Sequence, residues 1–134
     1  MMKNITILGS TGSIGRSTLQ VVDRLGDQFR VVGLAAGRNV SLLQKQIEKF
    51  KPEIVSVERE EEAEKLRRLC GNLKVEIMSG EKGAETVASF EESDCVVSAI
   101  TGIKGLKLTL AAVRAGKRVA LANKESMVVA GPLI

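Results

Sequence analysis

Apolar residues fall along the chain in two alternating patterns: short unbroken runs, and longer stretches in which they recur every three or four positions. The first pattern suits a strand covered on both faces, the second a helix with one buried side. Residues 4–8 predict a strand that stops at Gly9, and residues 13–25 place Ile14, Leu19, Val22 and Leu25 on one side of a helix. A second strand follows at 29–36. A second helix, at 41–50, turns Leu42, Leu43, Ile47 and Phe50 inward, and Pro52 closes it. The alternation continues with a strand at 54–57, a helix at 58–69, a strand at 75–78 and a short helix at 84–90. It ends with a strand at 95–100, a helix at 106–115 and a strand at 118–122. Across 58–69 only Ala63, Leu66 and Leu69 are apolar, so that helix is expected at the surface on one narrow buried stripe. Its acids come first and Lys65, Arg67 and Arg68 last, as the helix dipole favours. Residues 126–134 begin an apolar segment broken by Gly131-Pro132; its uncapped ending predicts the front part of a longer polypeptide.

Strands alternating with helices predict an α/β fold, a doubly wound and mostly parallel sheet with helices on both faces. No repeat, linker or low-complexity tract interrupts the pattern, so residues 1–134 are expected to form one domain. In such sheets ligands bind beyond the carboxyl ends of the strands, where the winding direction reverses. Functional residues are therefore sought just after strands.

Composition narrows the chemistry. The chain has 134 residues, 44% of them hydrophobic and 27% charged, which is globular and not disordered. No apolar run approaches the roughly 20 residues needed to cross a bilayer, and no secretory signal opens the chain, so a cytoplasmic location is expected. His, Trp and Tyr are absent, which excludes imidazole catalysis, His-bound metals and a catalytic phenol from these residues. Cys70 and Cys95 stand alone without metal-ligand spacing and are expected to be buried thiols. The net charge of +4 suits a small polyanion but is too slight to argue for nucleic acid, and only three Phe are available for base stacking.

Three segments carry candidate chemistry. Gly9-Ser10-Thr11-Gly12-Ser13-Ile14-Gly15 follows the first strand and opens the first helix, the setting in which glycines make a dinucleotide turn. Gly9 permits the turn, Gly12 admits a pyrophosphate close to the backbone, and Gly15 lets the helix pack against the strand. Thr11 and Ser13 add hydroxyls, and the helix start adds unpaired N–H groups. No Lys-Ser/Thr pair follows, which excludes a triphosphate P-loop. At the end of the second strand, Gly37-Arg38-Asn39 stands where an NAD site places an acid for the ribose 2′-hydroxyl, and no carboxylate is expected to compete there. Arg38 can clamp a 2′-phosphate or stack on adenine, while Asn39 can bind or cap the next helix, so NADP(H) is the expected cofactor. Finally, residues 118–122 deliver Asn123, Lys124, Glu125 and Ser126 at a carboxyl end. Lys124 can hold an anionic or carbonyl group and Asn123 a nicotinamide or ribose. Equally, Asn123 or Ser126 can cap a helix, with Glu125 as a first-turn acid. Ala99-Ile100-Thr101-Gly102 is expected near the same crevice.

The strings at 7–15, 36–40 and 121–126 together resemble the amino-terminal domain of the 1-deoxy-D-xylulose 5-phosphate reductoisomerases, and the resemblance covers essentially the whole chain. It implies a Rossmann-like NADPH-binding domain over 1–134, with the catalytic and carboxy-terminal domains absent. The family rearranges 1-deoxy-D-xylulose 5-phosphate and reduces the product with NADPH to 2-C-methyl-D-erythritol 4-phosphate in isoprenoid precursor synthesis, using Mg²⁺ or Mn²⁺. By resemblance Thr11, Gly12, Ser13 and Ile14 face the pyrophosphate side of NADPH, Gly37, Arg38 and Asn39 its 2′-phosphate, and Asn123 and Glu125 its nicotinamide half. Lys124 falls on the family's substrate-contacting lysine. The metal ligands and most of the substrate-phosphate site are expected beyond Ile134, so this chain holds no metal or catalytic residue and is expected to be inactive alone. A homodimer is expected for the full-length enzyme, and neither a nucleic-acid nor a membrane partner.

Two other classes compete. An NADP-dependent semialdehyde dehydrogenase shares the glycine spacing but needs a nucleophilic Cys and a His. A non-catalytic dinucleotide- or CoA-binding module needs neither, and ligand choice discriminates it.

Overall fold

The computed structural model describes residues 2–122 in full and residues 127–130 by their backbone. In chain order the elements are β1 (Lys3–Leu8), α1 (Ser13–Arg24), β2 (Phe29–Ala35), α2 (Val40–Phe50), β3 (Ile54–Val57) and α3 (Glu60–Cys70). They continue with β4 (Glu76–Ser79), α4 (Gly80–Ala88), β5 (Cys95–Ser98), α5 (Gly102–Arg114), β6 (Arg118–Ala122) and β7 (Met127–Ala130). The sheet runs in the order β4-β3-β2-β1-β5-β6-β7. Every pairing is parallel except β6 with β7. The expected doubly wound, mostly parallel sheet is therefore observed. Successive strands step outward from β1 to β4 and then return beside β1 as β5, so winding reverses between β1 and β5.

The central strands are apolar without alternation because helices cover both of their faces. On one face Ile5, Ile7, Leu34, Val55 and Val57 pack with Leu19, Leu43, Ile47 and Leu66, which come from α1, α2 and α3. On the other, Leu8, Ala35, Val96 and Val119 pack with Val87, Leu108 and Ala112 of α4 and α5. Ile7, Leu34, Leu43 and Leu66 are sealed from solvent, and each such burial is worth about 1.5–3 kcal/mol. Helix α2 stops at Lys51, which takes a left-handed conformation with φ 50° ahead of Pro52, which cannot continue a helix.

Several boundaries and faces depart from the sequence reading. Helix α3 starts at Glu60, so Glu58 and Arg59 precede it and are not part of a solvated helix face. Its inward stripe is Ala63, Leu66 and Cys70, and Leu69 is 43% exposed. The reason is the 3.6-residue period: Cys70 lies two turns beyond Ala63, whereas Leu69 falls off that line. Cys95, expected to be buried, is only partly so. Helix α4 begins earlier than expected and releases Phe90, and α5 begins at Gly102, well ahead of its first apolar cluster. The segment after β6 contributes β7, an antiparallel edge strand that the apolar pattern did not predict.

Candidate functional site

The reversal between β1 and β5 is where a doubly wound sheet forms its ligand crevice beyond the carboxyl ends of the strands, and the glycine turn leaves β1 at that edge. Gly9 adopts φ +86°, a region that side chains avoid, and a Cβ there would press on Ile100 Cγ1 at 2.8 Å. The turn is pinned to β2 because the Gly9 and Ser10 N–H groups both donate to the Ala35 carbonyl, at 2.7 and 3.1 Å. Helix α1 then starts at Ser13, with Gly12 in an extended conformation as its N-cap and no side chain capping it. The first N–H groups of α1, those of Ser13, Ile14 and Gly15, have no intrahelical acceptors, and the positive end of the helix dipole lies with them.

The glycines divide by purpose. A Cβ on Gly15 would overlap the Gly9 carbonyl oxygen and lie 2.8 Å from Ser10 Cα, so Gly15 is required by helix packing. Gly12 differs: its backbone is ordinary, and a Cβ would meet only the Gly9 oxygen, at 3.7 Å. Nothing lies within 4 Å of a Cβ on Gly37 either. No contact within the described residues demands glycine at 12 or 37, and both are exposed at the crevice, which is what close approach by a ligand requires.

Thr11 and Ile14 are half-buried, and Ser13 is exposed beside them. Across the crevice, Gly37, Arg38 and Asn39 are exposed at the end of β2. Asn39 caps α2, its Oδ1 accepting from the Leu42 N–H at 3.2 Å. Ala99 ties the exit of β5 to β1, its N–H donating to the Leu8 carbonyl at 2.8 Å. The structure thus brings Thr11, Gly12, Ser13, Ile14, Gly37, Arg38 and Asn39 to one edge, together with Ala99-Ile100-Thr101-Gly102. Asn123, Lys124, Glu125 and Ser126 lie outside the described residues.

One expectation at the β2 end fails. A carboxylate does stand there, supplied by Glu58 from the neighbouring strand. Its N–H donates to the Gly37 carbonyl at 3.0 Å. Its Oε2 accepts from Arg38 Nε at 2.8 Å, and its Oε1 from Lys104 Nζ at 3.1 Å. Those hydrogen bonds, Lys104's first, and the two positive charges hold the Glu58 carboxyl below its ordinary value. Glu58 was legible by the rule already applied, since it directly follows a buried strand. Gln46 was missed as well: it occupies a core-facing position of α2 and donates through Nε2 to the Ser10 carbonyl at 2.8 Å, tethering the turn. Ser10 itself is sealed from solvent, and its hydroxyl has no partner among the described residues. Gly105 repeats the packing role of Gly15 against the Ile100 carbonyl.

Neither thiol is activated, because burial pushes both Cys70 and Cys95 up. Among the described residues no three of His, Cys, Asp and Glu gather to hold a metal ion. No described helix is long and apolar enough to cross a membrane.

The model of the 1-deoxy-D-xylulose 5-phosphate reductoisomerase family matches residues 5–131. The chain belongs to that family. Reductoisomerases from Chlorobium phaeobacteroides and a Geobacter species are 53% and 56% identical over 133 residues. The matches cover 99% of this chain and 35% and 34% of those relatives, so it spans about a third of their length. Among solved structures, the reductoisomerase of Zymomonas mobilis in complex with NADPH superposes with a TM-score of 0.85 at 37% identity, covering 94% of this chain and 33% of that one. A DOX-P reductoisomerase in complex with NADPH, fosmidomycin and magnesium superposes with a TM-score of 0.83 at 38% identity, covering 93% and 31%. Family membership sets aside the semialdehyde dehydrogenase reading, which also lacked its His.

Proposed function

We propose that residues 1–134 are the NADPH-binding domain of a reductoisomerase that converts 1-deoxy-D-xylulose 5-phosphate to 2-C-methyl-D-erythritol 4-phosphate. The observation that carries this reading is the pairing of a glycine turn at the winding reversal with Arg38 at the end of β2. Gly12 and Gly37, glycines that no contact among the described residues requires, give the backbone room for a dinucleotide. Thr11, Ser13 and the N–H groups opening α1 would hold the pyrophosphate, where partial positive charge and unpaired donors favour an anion. Ile14 would cover it, and Gln46 keeps the turn in place from behind. Arg38, Gly37 and Asn39 would hold the 2′-phosphate, with the planar guanidinium matching its oxygens. Bound there, NADPH supplies the hydride for the reduction.

Asn123 and Glu125 are proposed for the nicotinamide half and Lys124 for the substrate. No metal ligand is proposed in this chain, so the Mg²⁺ or Mn²⁺ step belongs to another part of the enzyme. A homodimer of the full-length enzyme, working in the cytoplasm, completes the proposal; the two free thiols suit a reducing compartment.

Titration of the chain with NADPH and NADH at one salt concentration tests the reading. NADPH should bind about ten- to a hundredfold more tightly, the worth of charge-assisted hydrogen bonds to one phosphate. Arg38→Asp should remove most of that preference. Equal affinities in the unmutated chain defeat the proposal.

A further inference from the structure

Lys104 sits in the first turn of α5, where no acidic residue accompanies it. A cation there opposes the positive end of the helix dipole and needs an anion nearby. The anion it has is Glu58, 46 positions earlier in the chain, at 3.1 Å. The route of that contact is informative. Lys104 follows β5 and Glu58 follows β3, and in the sheet β1 and β2 lie between those strands. The Lys104–Glu58–Arg38 bridge therefore joins segments that leave the sheet on either side of β1, at the carboxyl edge where the glycine turn also stands.

Stability does not explain the bridge. Arg38 and Lys104 are 60% and 76% exposed, and pairs so open to water contribute little to folding. Arg38 meets Glu58 through Nε, and no other acceptor of its guanidinium is seen among the described residues. Two cations thus converge on one carboxylate at the position proposed for a 2′-phosphate.

We propose that Arg38 and Lys104 together form the 2′-phosphate subsite, and that the Glu58 carboxylate is an internal stand-in which the phosphate must displace. The proposal rests on the reading that NADPH binds at the glycine turn. Without ligand, Glu58 keeps two long side chains poised at the crevice and offsets their mutual repulsion. A phosphate monoester carries nearly two negative charges and three acceptor oxygens near neutral pH, so it competes well for both cations. Once it is bound, the Glu58 carboxylate is a like charge beside it. Glu58 therefore limits affinity for the phosphorylated cofactor, and Lys104 adds to its selection.

The test uses adenosine 2′,5′-bisphosphate and 5′-AMP as probes, which differ only in the 2′-phosphate, titrated calorimetrically at fixed salt alongside NADPH and NADH. Glu58→Gln should tighten the bisphosphate and NADPH by about 3- to 10-fold and leave 5′-AMP and NADH unchanged. Lys104→Met should weaken the bisphosphate by about tenfold, again sparing 5′-AMP. Circular dichroism establishes that each variant is folded. Unchanged or weakened bisphosphate binding in Glu58→Gln overturns the stand-in role. Equal losses for both probes in Lys104→Met show a general field and overturn the second cation. If the unmutated chain binds none of the four ligands, the NADPH reading itself has failed. If it binds NADPH preferentially and the variants match it, only this inference has failed.

Discussion

Two glycines of one turn, three residues apart, should respond differently to the same added methyl group, one mainly in stability and the other mainly in binding. At Gly15 the new Cβ would overlap the Gly9 carbonyl oxygen and lie 2.8 Å from both the Gly9 carbonyl carbon and Ser10 Cα. All of these are backbone atoms, so no rotamer change relieves the overlap; α1 must lift from β1 or the turn must open. Alanine gains about 1 kcal/mol over glycine inside a helix, while overpacking of this kind costs about 3 kcal/mol when nothing can yield. The net loss is about 2 kcal/mol, which for a chain of this size lowers Tm by about 8 °C. At Gly12 the methyl meets only the Gly9 oxygen at 3.7 Å, and φ is an unstrained −77°. Alanine is a poorer N-cap than glycine, which costs up to about 1 kcal/mol, or about 4 °C. Gly12→Ala should therefore stay folded while losing at least about tenfold in NADPH affinity, because the methyl would enter the space proposed for the ligand. Thermal melts followed by circular dichroism, paired with NADPH fluorescence titrations, measure both effects. Parent-like NADPH binding by a folded Gly12→Ala refutes the ligand-approach argument. A Gly15→Ala chain that melts at or above the parent refutes the packing argument.

Acid should weaken the fold only slightly through two exposed carboxylates, whose pairs water screens: Lys104 and Arg38 hold Glu58, and Arg67 and Ser79 hold Glu60, below the ordinary value of 4.5. Their contribution is present above that value and is lost as pH falls through the lowered ones. The Tm advantage of the parent over a Glu58→Gln/Glu60→Gln variant should thus shrink from neutral pH toward about pH 3; a constant gap counts against these ion pairs. The isolated chain, supplied with NADPH, Mg²⁺ and 1-deoxy-D-xylulose 5-phosphate, should show no steady loss of NADPH absorbance. Turnover by the purified chain, free of longer enzyme, would refute the assignment of the metal step elsewhere.

Local chemistry made much of this molecule readable. Strands β1, β2, β3, β5 and β6 announce themselves as apolar runs because covering both faces leaves no place for polar alternation. Turn and helix start are equally local, since the conformational freedom of Gly9 and the close approach at Gly15 act within a few residues. The α3 face shows the limit even of local reading: Leu69 is as apolar as Cys70, and only the phase of the helix against the sheet decides that Cys70 is buried.

Topology decided the rest. Arg38 was found from its place after β2, but its partner Glu58 is 20 positions away and Lys104 another 46. Nothing in the intervening sequence states that β5 returns beside β1 and carries α5 to the same edge. Nor could the apolar tail after β6 reveal β7, because an edge strand takes its hydrogen-bonding partner, and hence its direction, from the strand already in place. The sequence alone therefore determined which segments end in candidate site residues, through spacing and backbone sterics. Which of those ends meet, and so which charges share one crevice, was settled only when burial of both sheet faces imposed the strand order.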